Sequence, residues 1–204
     1  MTSCIISSCR AETSYCKGYC KRHYMQMYRS GGVYPTGHEP RSAIIEGDIA
    51  KIPLGVNAKD GYAIVDKEFA WLDKYKWRTN VDGYAVSRIT TDSGRKDIRL
   101  HRLIVQTELL VDHKNLDKLD NRRCNLREAT YSQNLMNTLP AKRNKSGYKG
   151  VNWHKRNKKY RAVICVDKVR MHLGSFDNVI DAAKAYNTAA KKYFGEFARL
   201  NDGV

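Results

Sequence analysis

A chain of 204 residues is long enough for one ordinary domain or for two or three small ones, and 42% hydrophobic against 28% charged residues excludes a disordered or membrane-embedded protein. No run approaches the ~20 consecutive apolar residues of a membrane span, and Met1-Thr2-Ser3-Cys4 lacks the charged start and apolar core of a secretory signal, so a cytoplasmic protein is expected. Thirty-seven Lys and Arg against 21 Asp and Glu leave a formal charge of +16, which favours a polyanionic partner, nucleic acid first. The excess is uneven: from Leu139 onward there are fifteen Lys and Arg against five Asp and Glu.

The first segment, residues 1–29, holds four thiols and a histidine within twenty positions: Cys4, Cys9, Cys16, Cys20 and His23. It is too short to fold on an apolar core, and in an intracellular protein such a cluster reads as metal ligands rather than disulfides. Five candidates must yield four ligands. Cys4-x4-Cys9 followed by Gly-Tyr-Cys20-x2-His23-Tyr resembles small zinc fingers fused to phage and bacterial nucleases. That resemblance implies a structural Zn²⁺ on Cys4, Cys9, Cys20 and His23, with Cys16 able to displace Cys4 or Cys9. A helix after Cys20 is expected to turn Lys21, Arg22 and Arg29 outward. Residues 30–42, with three glycines and two prolines, read as a linker.

From Ala43 the pattern changes to short β-rich runs, 49–54, 61–65, 83–89 and 97–100, broken by Asp82-Gly83 and Ser93-Gly94 and interrupted by a helical piece at 67–75. Trp71 and Trp77 read as core aromatics. No catalytic set appears here, so the region is expected to be a scaffold. Leu-His-Arg-Leu-Ile-Val then predicts a helix beginning near His101, for which a structural or phosphate-contacting role is expected.

The stretch from Val111 to Asn137 carries the chemistry. Asp112 and Asn134 are hard oxygen donors of the kind Mg²⁺ accepts, and His113 is a base with an ordinary pKa near neutrality. His113, Asn125 and Asn134 follow at intervals of twelve and nine. This set suits cleavage of a phosphodiester. Residues from about Ile49 to Asn137, in the run I-P-L, G-Y-A-I-V-D, G-Y-A-V, L-H-R-L-I, V-D-H, L-D-N-R-R-x-N-L-R and Q-N, resemble the HNH endonucleases, particularly those of phage introns and mobile elements. The resemblance implies two strands and a helix around one divalent cation, with Asp112-His113 closing the first strand, 126–128 forming the second and 130–138 the helix. Asp112 and Asn134 would face each other and hold the cation. His113 would take a proton from water, and Asn125 would pin the loop and orient the histidine. The family's glycine turn after the histidine is missing from Lys114 to Asp117, and Asn115 is expected to supply the left-handed conformation instead.

Residues 139–147 read as a basic linker. Strand-like runs at 148–154, 159–166 and 169–174 and an alanine-rich helix at 179–194 make a miniature domain, residues 148–204. Its text resembles the plant ethylene-response-factor (Apetala-type) DNA-binding domain, whose three-stranded sheet enters the major groove. Carried over by position, Lys149, Asn152, His154, Arg156, Arg161, Arg170 and His172 are the implied contacts, and Trp153 is expected in the core. The whole reads as an α+β chain: a zinc module, a β-rich scaffold with the nuclease core at 43–138, and a sheet-and-helix reader. The expected activity is cleavage of double-stranded DNA by a monomer or DNA-induced dimer. The alternative is a DNA-binding regulator with a vestigial nuclease core.

Overall fold

The computed structural model describes residues 19–21, 23–25, 42–55, 61–92 and 94–204. The chain divides into two compact units, 1–40 and 41–204. In the first, Lys21 and residues 23–25 are helical, while Cys4, Cys9 and Cys16 lie outside the described residues.

The second unit mixes α and β structure in several small sheets. β1 (Ile44–Glu46), β2 (Ile49–Pro53) and β3 (Tyr62–Asp66) form an antiparallel sheet, with a tight turn whose Gly47 has φ +58°. Alternation in β2 and β3 points Ala50, Ile52, Ala63 and Val65 into the core. The expected helical piece is a 3-10 helix, Lys67–Lys74. It is followed by β4 (Trp77–Thr79), β5 (Ala85–Thr91) and β6 (Gly94–Arg99), ordered β4-β5-β6. Trp77 is buried and its indole N–H donates to the Leu72 carbonyl at 2.7 Å. Trp71 corrects its expectation: it is about half exposed, with the Lys74 ammonium 4.6 Å above its ring.

Helix α1 (Leu100–Ile104) leads to β7 (Leu110–His113), which pairs with β8 (Leu126–Ala129); α2 (Tyr131–Met136) follows. The strands and helix of the expected core thus form where the sequence placed them. One apolar core, including Ile52, Leu72, Trp77, Leu100, Val111 and Leu126, joins this core to the scaffold.

The C-terminal part is β9 (Val151–His154), β10 (Lys159–Val166) and β11 (Val169–Phe176), ordered β11-β10-β9, with α3 (Val179–Phe194) on one face. Alanines 182, 183, 189 and 190 are buried and let the helix lie close to the sheet. At Gly150 the approach is closest: φ is +74°, and a Cβ would fall on the Tyr186 ring. Trp153 corrects its expectation as well, being about half exposed and edge-on to Tyr160. Met136 of α2 packs into the core around Ile164, Tyr186 and Phe194, so contacts cross the expected linker at 139–147. Among the described residues no helix is long and apolar enough to cross a membrane.

Candidate active site

The hairpin of β7 and β8 determines what meets what. Its register sets Asp112 opposite Arg127 and His113 opposite Leu126. Cross-strand neighbours of opposite charge attract, and Arg127 places Nε 2.8 Å and an Nη 2.7 Å from Asp112 Oδ2. Both side chains are nearly buried. Among the described residues, Asp112 Oδ1 accepts only from Asn137 Nδ2, at 3.1 Å, which leaves it lone-pair capacity.

Asn137 is the amide that α2 brings to Asp112. Its Nδ2 also donates to the backbone carbonyls of His113 (2.9 Å) and Lys114 (3.4 Å). Asn134, expected to face Asp112, is partly exposed within the helix, three residues before the C-cap Asn137, and among the described residues its side chain makes no hydrogen bond. The sequence signal for Asn137 is the N-x-x-N spacing, which puts both amides on neighbouring positions of one helical face.

A six-residue helix has little stability alone, and α2 is held at both ends. At its start Thr130 and Gln133 form a reciprocal capping box, with Oγ1 accepting from the Gln133 N–H and Gln133 Oε1 accepting from the Thr130 N–H. At its end the Lys149 ammonium donates to the carbonyls of Met136 (2.6 Å) and Thr138 (2.8 Å). A cation on the last carbonyls of a helix is stabilising. Burial pushes the Lys149 pKa down to about 8. Lys149, expected on DNA, is therefore turned inward onto the nuclease helix.

His113 is buried against His101, ring centroids 5.2 Å apart and nearly perpendicular, and beside Tyr84 at 5.9 Å. Its Nε2 lies 3.3 Å from Asn121 Oδ1. The orientation of that amide is set by Asn121 Nδ2, which donates to the Leu119 carbonyl at 2.9 Å. Asn121 Oδ1 must then accept, so Nε2 carries the hydrogen and Nδ1 keeps the free lone pair of a base. Burial pushes the His113 pKa down, against the upward pull of the Asn121 hydrogen bond and of Asp112. His101 is also buried; burial first, then His113 and Arg99, push its pKa down to about 3. It is an uncharged packing partner of His113 and makes no surface for phosphate.

Asn125 does one of its two expected jobs. Its Nδ2 donates to the Asp120 carbonyl at 2.7 Å and its Oδ1 accepts from the Asn115 N–H at 3.0 Å, which pins the loop. The hydrogen bond to the histidine comes from Asn121 instead. Asn121 is fully buried, and its N–H donates to Ile64 of β3 at 2.7 Å. No periodic pattern exposes that role, because it depends on the loop reaching β3. The left-handed residue of the loop is Leu116, φ +68°, not Asn115. Asn115 serves as an anchor, with Nδ2 donating to Asp120 Oδ2 at 3.0 Å and Oδ1 accepting from the Asp117 N–H at 2.8 Å.

Arg127 also reaches the C-terminal part. One Nη donates to the Glu196 carbonyl at 2.6 Å, and the guanidinium lies 4.0 Å from the Phe197 ring centroid. A cleft of about 390 Å³ opens here, lined by Lys114, Arg127, Asn137, Glu196, Arg199 and Asp202 among others.

On the outer face of the C-terminal sheet, the register aligns Asn152 with Arg161, His154 with Lys159, Val163 with His172 and Cys165 with Arg170. Five of the seven expected DNA contacts, Asn152, His154, Arg161, Arg170 and His172, therefore share the face away from α3. Arg156 is exposed in the turn between β9 and β10, and Lys149 is off the sheet. Arg161 Nε is buried and has no hydrogen-bond partner among the described residues.

In the first unit, Cys20 and His23 are both buried, with Sγ 3.5 Å from Nδ1. Among the described residues no three His, Cys, Asp or Glu side chains converge as a metal cluster. The donor chemistry at Asp112 nonetheless fits a hard divalent cation: a nearly buried carboxylate whose Oδ1 keeps spare capacity.

No family model matches the chain. It is similar to an HNH endonuclease of Acanthamoeba polyphaga mimivirus, 34% identical over 138 residues that make up 64% of this chain and 68% of that protein. Among solved structures it is similar to one described as DNA binding and cleavage by the HNH homing endonuclease I-HmuI, at 23% identity and a TM-score of 0.30, covering 59% of this chain and 75% of that one.

Proposed function

This chain belongs to the HNH endonuclease family, and from that premise we propose that it is a divalent-metal-dependent DNA endonuclease of the homing or mobile-element type. The observation that carries this reading is the pairing of a buried, hydrogen-bond-oriented His113 with an adjacent buried Asp112 at the end of one strand.

In this reading Asp112 and Asn134 hold the cation, Mg²⁺ being the expected one. Arg127 and Asn137 keep the Asp112 carboxylate in place. When bound, the cation supplies charge neutralisation for the scissile phosphate and the leaving oxygen. His113 accepts the proton of the attacking water at Nδ1. Its depressed pKa keeps it unprotonated at neutral pH, which the role requires. Asn121 holds the ring in the productive tautomer, and Asn125 holds the loop. A single site cuts one strand, so a monomer nicks, and double-strand cleavage needs a DNA-induced dimer or two events. The outer face of β9–β11, through Asn152, His154, Arg161, Arg170 and His172 with Arg156 at its edge, reads the duplex. In the first unit, Cys20 and His23 supply two ligands of a structural Zn²⁺ completed by Cys4 and Cys9.

The ion pair of Arg127 with Asp112 favours a second reading, a regulator whose nuclease core is vestigial. One assay separates the two. Supercoiled plasmid is incubated with wild type and with His113→Ala, with and without Mg²⁺ and Mn²⁺. The enzyme reading expects metal-dependent nicking, slowed about 10²-fold or more in the variant. Wild type that binds DNA and leaves the plasmid intact with every divalent metal would establish the regulator.

A further inference from the structure

The β4–β6 sheet carries a charged face that the site described above does not use. Its register aligns Arg78 with Val86 and Val86 with Arg99, Arg88 with Asp97, and Thr90 with Arg95. Side chains alternate along a strand, so Arg78, Arg88, Arg95, Asp97 and Arg99 share one side. The other side, with Trp77, Ala85 and Ile98, packs into the core. All four arginines are exposed.

Among the described residues Asp97 is the one anion among the four guanidinium groups. It accepts from Arg88 Nε at 2.7 Å and Arg88 Nη2 at 3.2 Å, and from Arg78 Nη2 at 3.2 Å. One carboxylate thus aligns two guanidinium groups without neutralising both, and each retains unspent N–H donors. An isolated exposed pair of this kind contributes little to stability, so folding alone gives no reason for three uncompensated arginines on one short sheet.

The face also leads to the nuclease centre. The Arg99 guanidinium lies 5.4 Å over the Tyr84 ring, and the Lys118 ammonium lies 4.7 Å from the same ring. Tyr84 in turn touches His101 at 5.2 Å and His113 at 5.9 Å. One side chain, Tyr84, therefore separates the arginine face from the candidate base. Planar, permanently charged arginines suit phosphate oxygens. The face offers no asparagine or glutamine of the kind that reads base edges.

We propose that the outer face of β4–β6, through Arg78, Arg88, Arg95 and Arg99, is a second DNA contact that grips the phosphate backbone beside the cut without reading sequence. The identity of the partner rests on the DNA-endonuclease reading; the charged face itself does not.

The test measures equilibrium binding of the full chain to a fluorescent duplex of arbitrary sequence, in EDTA so that no cleavage intervenes, across a series of KCl concentrations. Neutralising contacts release counterions, each contributing about 0.9 to the slope of log K against log salt. Arg88→Gln with Arg95→Gln should lower the magnitude of that slope by about 1.8 and weaken binding at least ten-fold at low salt. Asp97→Asn, which removes the anion and keeps the strand, should tighten binding several-fold. Circular dichroism and thermal unfolding check that both variants fold. An unchanged slope in the folded double variant overturns the proposal, as does weaker binding by Asp97→Asn. Equal or stronger competition by duplex RNA overturns the assignment to DNA. Plasmid nicking with an unchanged slope defeats this inference alone, whereas a lowered slope in a protein that never nicks defeats the nuclease reading and leaves the surface standing.

Discussion

Among the described residues, two of the three three-stranded antiparallel sheets, β4–β6 and β9–β11, each set one face on a core and the other to solvent, and they differ in what the open face presents. That of β4–β6 is arginine with a single aspartate; that of β9–β11 mixes arginine with asparagine and histidine. Guanidinium groups in water meet phosphate wherever it lies, whereas an amide beside an arginine distinguishes one base edge from another. In the proposed function the two sheets serve different halves of recognition, grip and choice. They also stand differently toward the cut: the first reaches His113 through Tyr84, and the second reaches Asp112 through Glu196, Phe197 and Arg127.

The largest expected effect separates the sheets by destroying one. Gly150→Ala forces a Cβ onto Tyr186 at a left-handed position, and should cost roughly 2–4 kcal/mol. Thermal unfolding should show the loss, and site preference should disappear while weak, salt-sensitive binding to arbitrary duplex persists. Preference that survives unfolding of β9–β11 would move sequence reading to the scaffold.

Acid should act on the other sheet first. His101, which follows β6 directly, titrates at about 3 when folded and near 6.5 otherwise. Between those values the unfolded chain binds the proton and the folded chain does not, so stability is full above about pH 6.5 and falls as pH drops, by up to about 1.4 kcal/mol per unit. Protection in β5 and β6, taken as hydrogen exchange relative to the intrinsic rate at each pH, should fall between about pH 6.5 and 4.5, and His101→Phe should flatten the dependence. Uniform loss of protection across β4–β6 and β9–β11 would mean the two sheets open as one.

The smallest effect sharpens the division of labour. Asn152→Ala should reduce preference for a target selected from randomised duplexes by about ten-fold, within the ~1–3 kcal/mol of a good base contact, with the salt slope unchanged. A lowered slope and unchanged preference would make Asn152 a phosphate contact.

Much of this was legible in one dimension. The β-rich runs at 49–54 and 61–65 became β2 and β3 close to their expected bounds, because strand signals depend on near neighbours. The spacing of Asp112, His113, Asn125 and Asn134 marked out the candidate site for the same reason. Trp71 and Trp153 show the limit: an aromatic residue reports a preference for burial, and only packing decides whether a neighbour covers it.

What the sequence by itself determined is therefore the list of elements, the basic character of the chain and the Asp112-His113 pair on a strand end. The tertiary structure alone decided which amide meets which group. Asn121 rather than Asn125 reaches His113 because the loop pairs with β3 at Ile64. Asn137 rather than Asn134 meets Asp112 because α2 is anchored at one end by its capping box and at the other by Lys149 from beyond the expected linker. Such contacts join residues distant in sequence, and a hydrogen bond depends on placement to within a few tenths of an ångström, which local pattern does not encode.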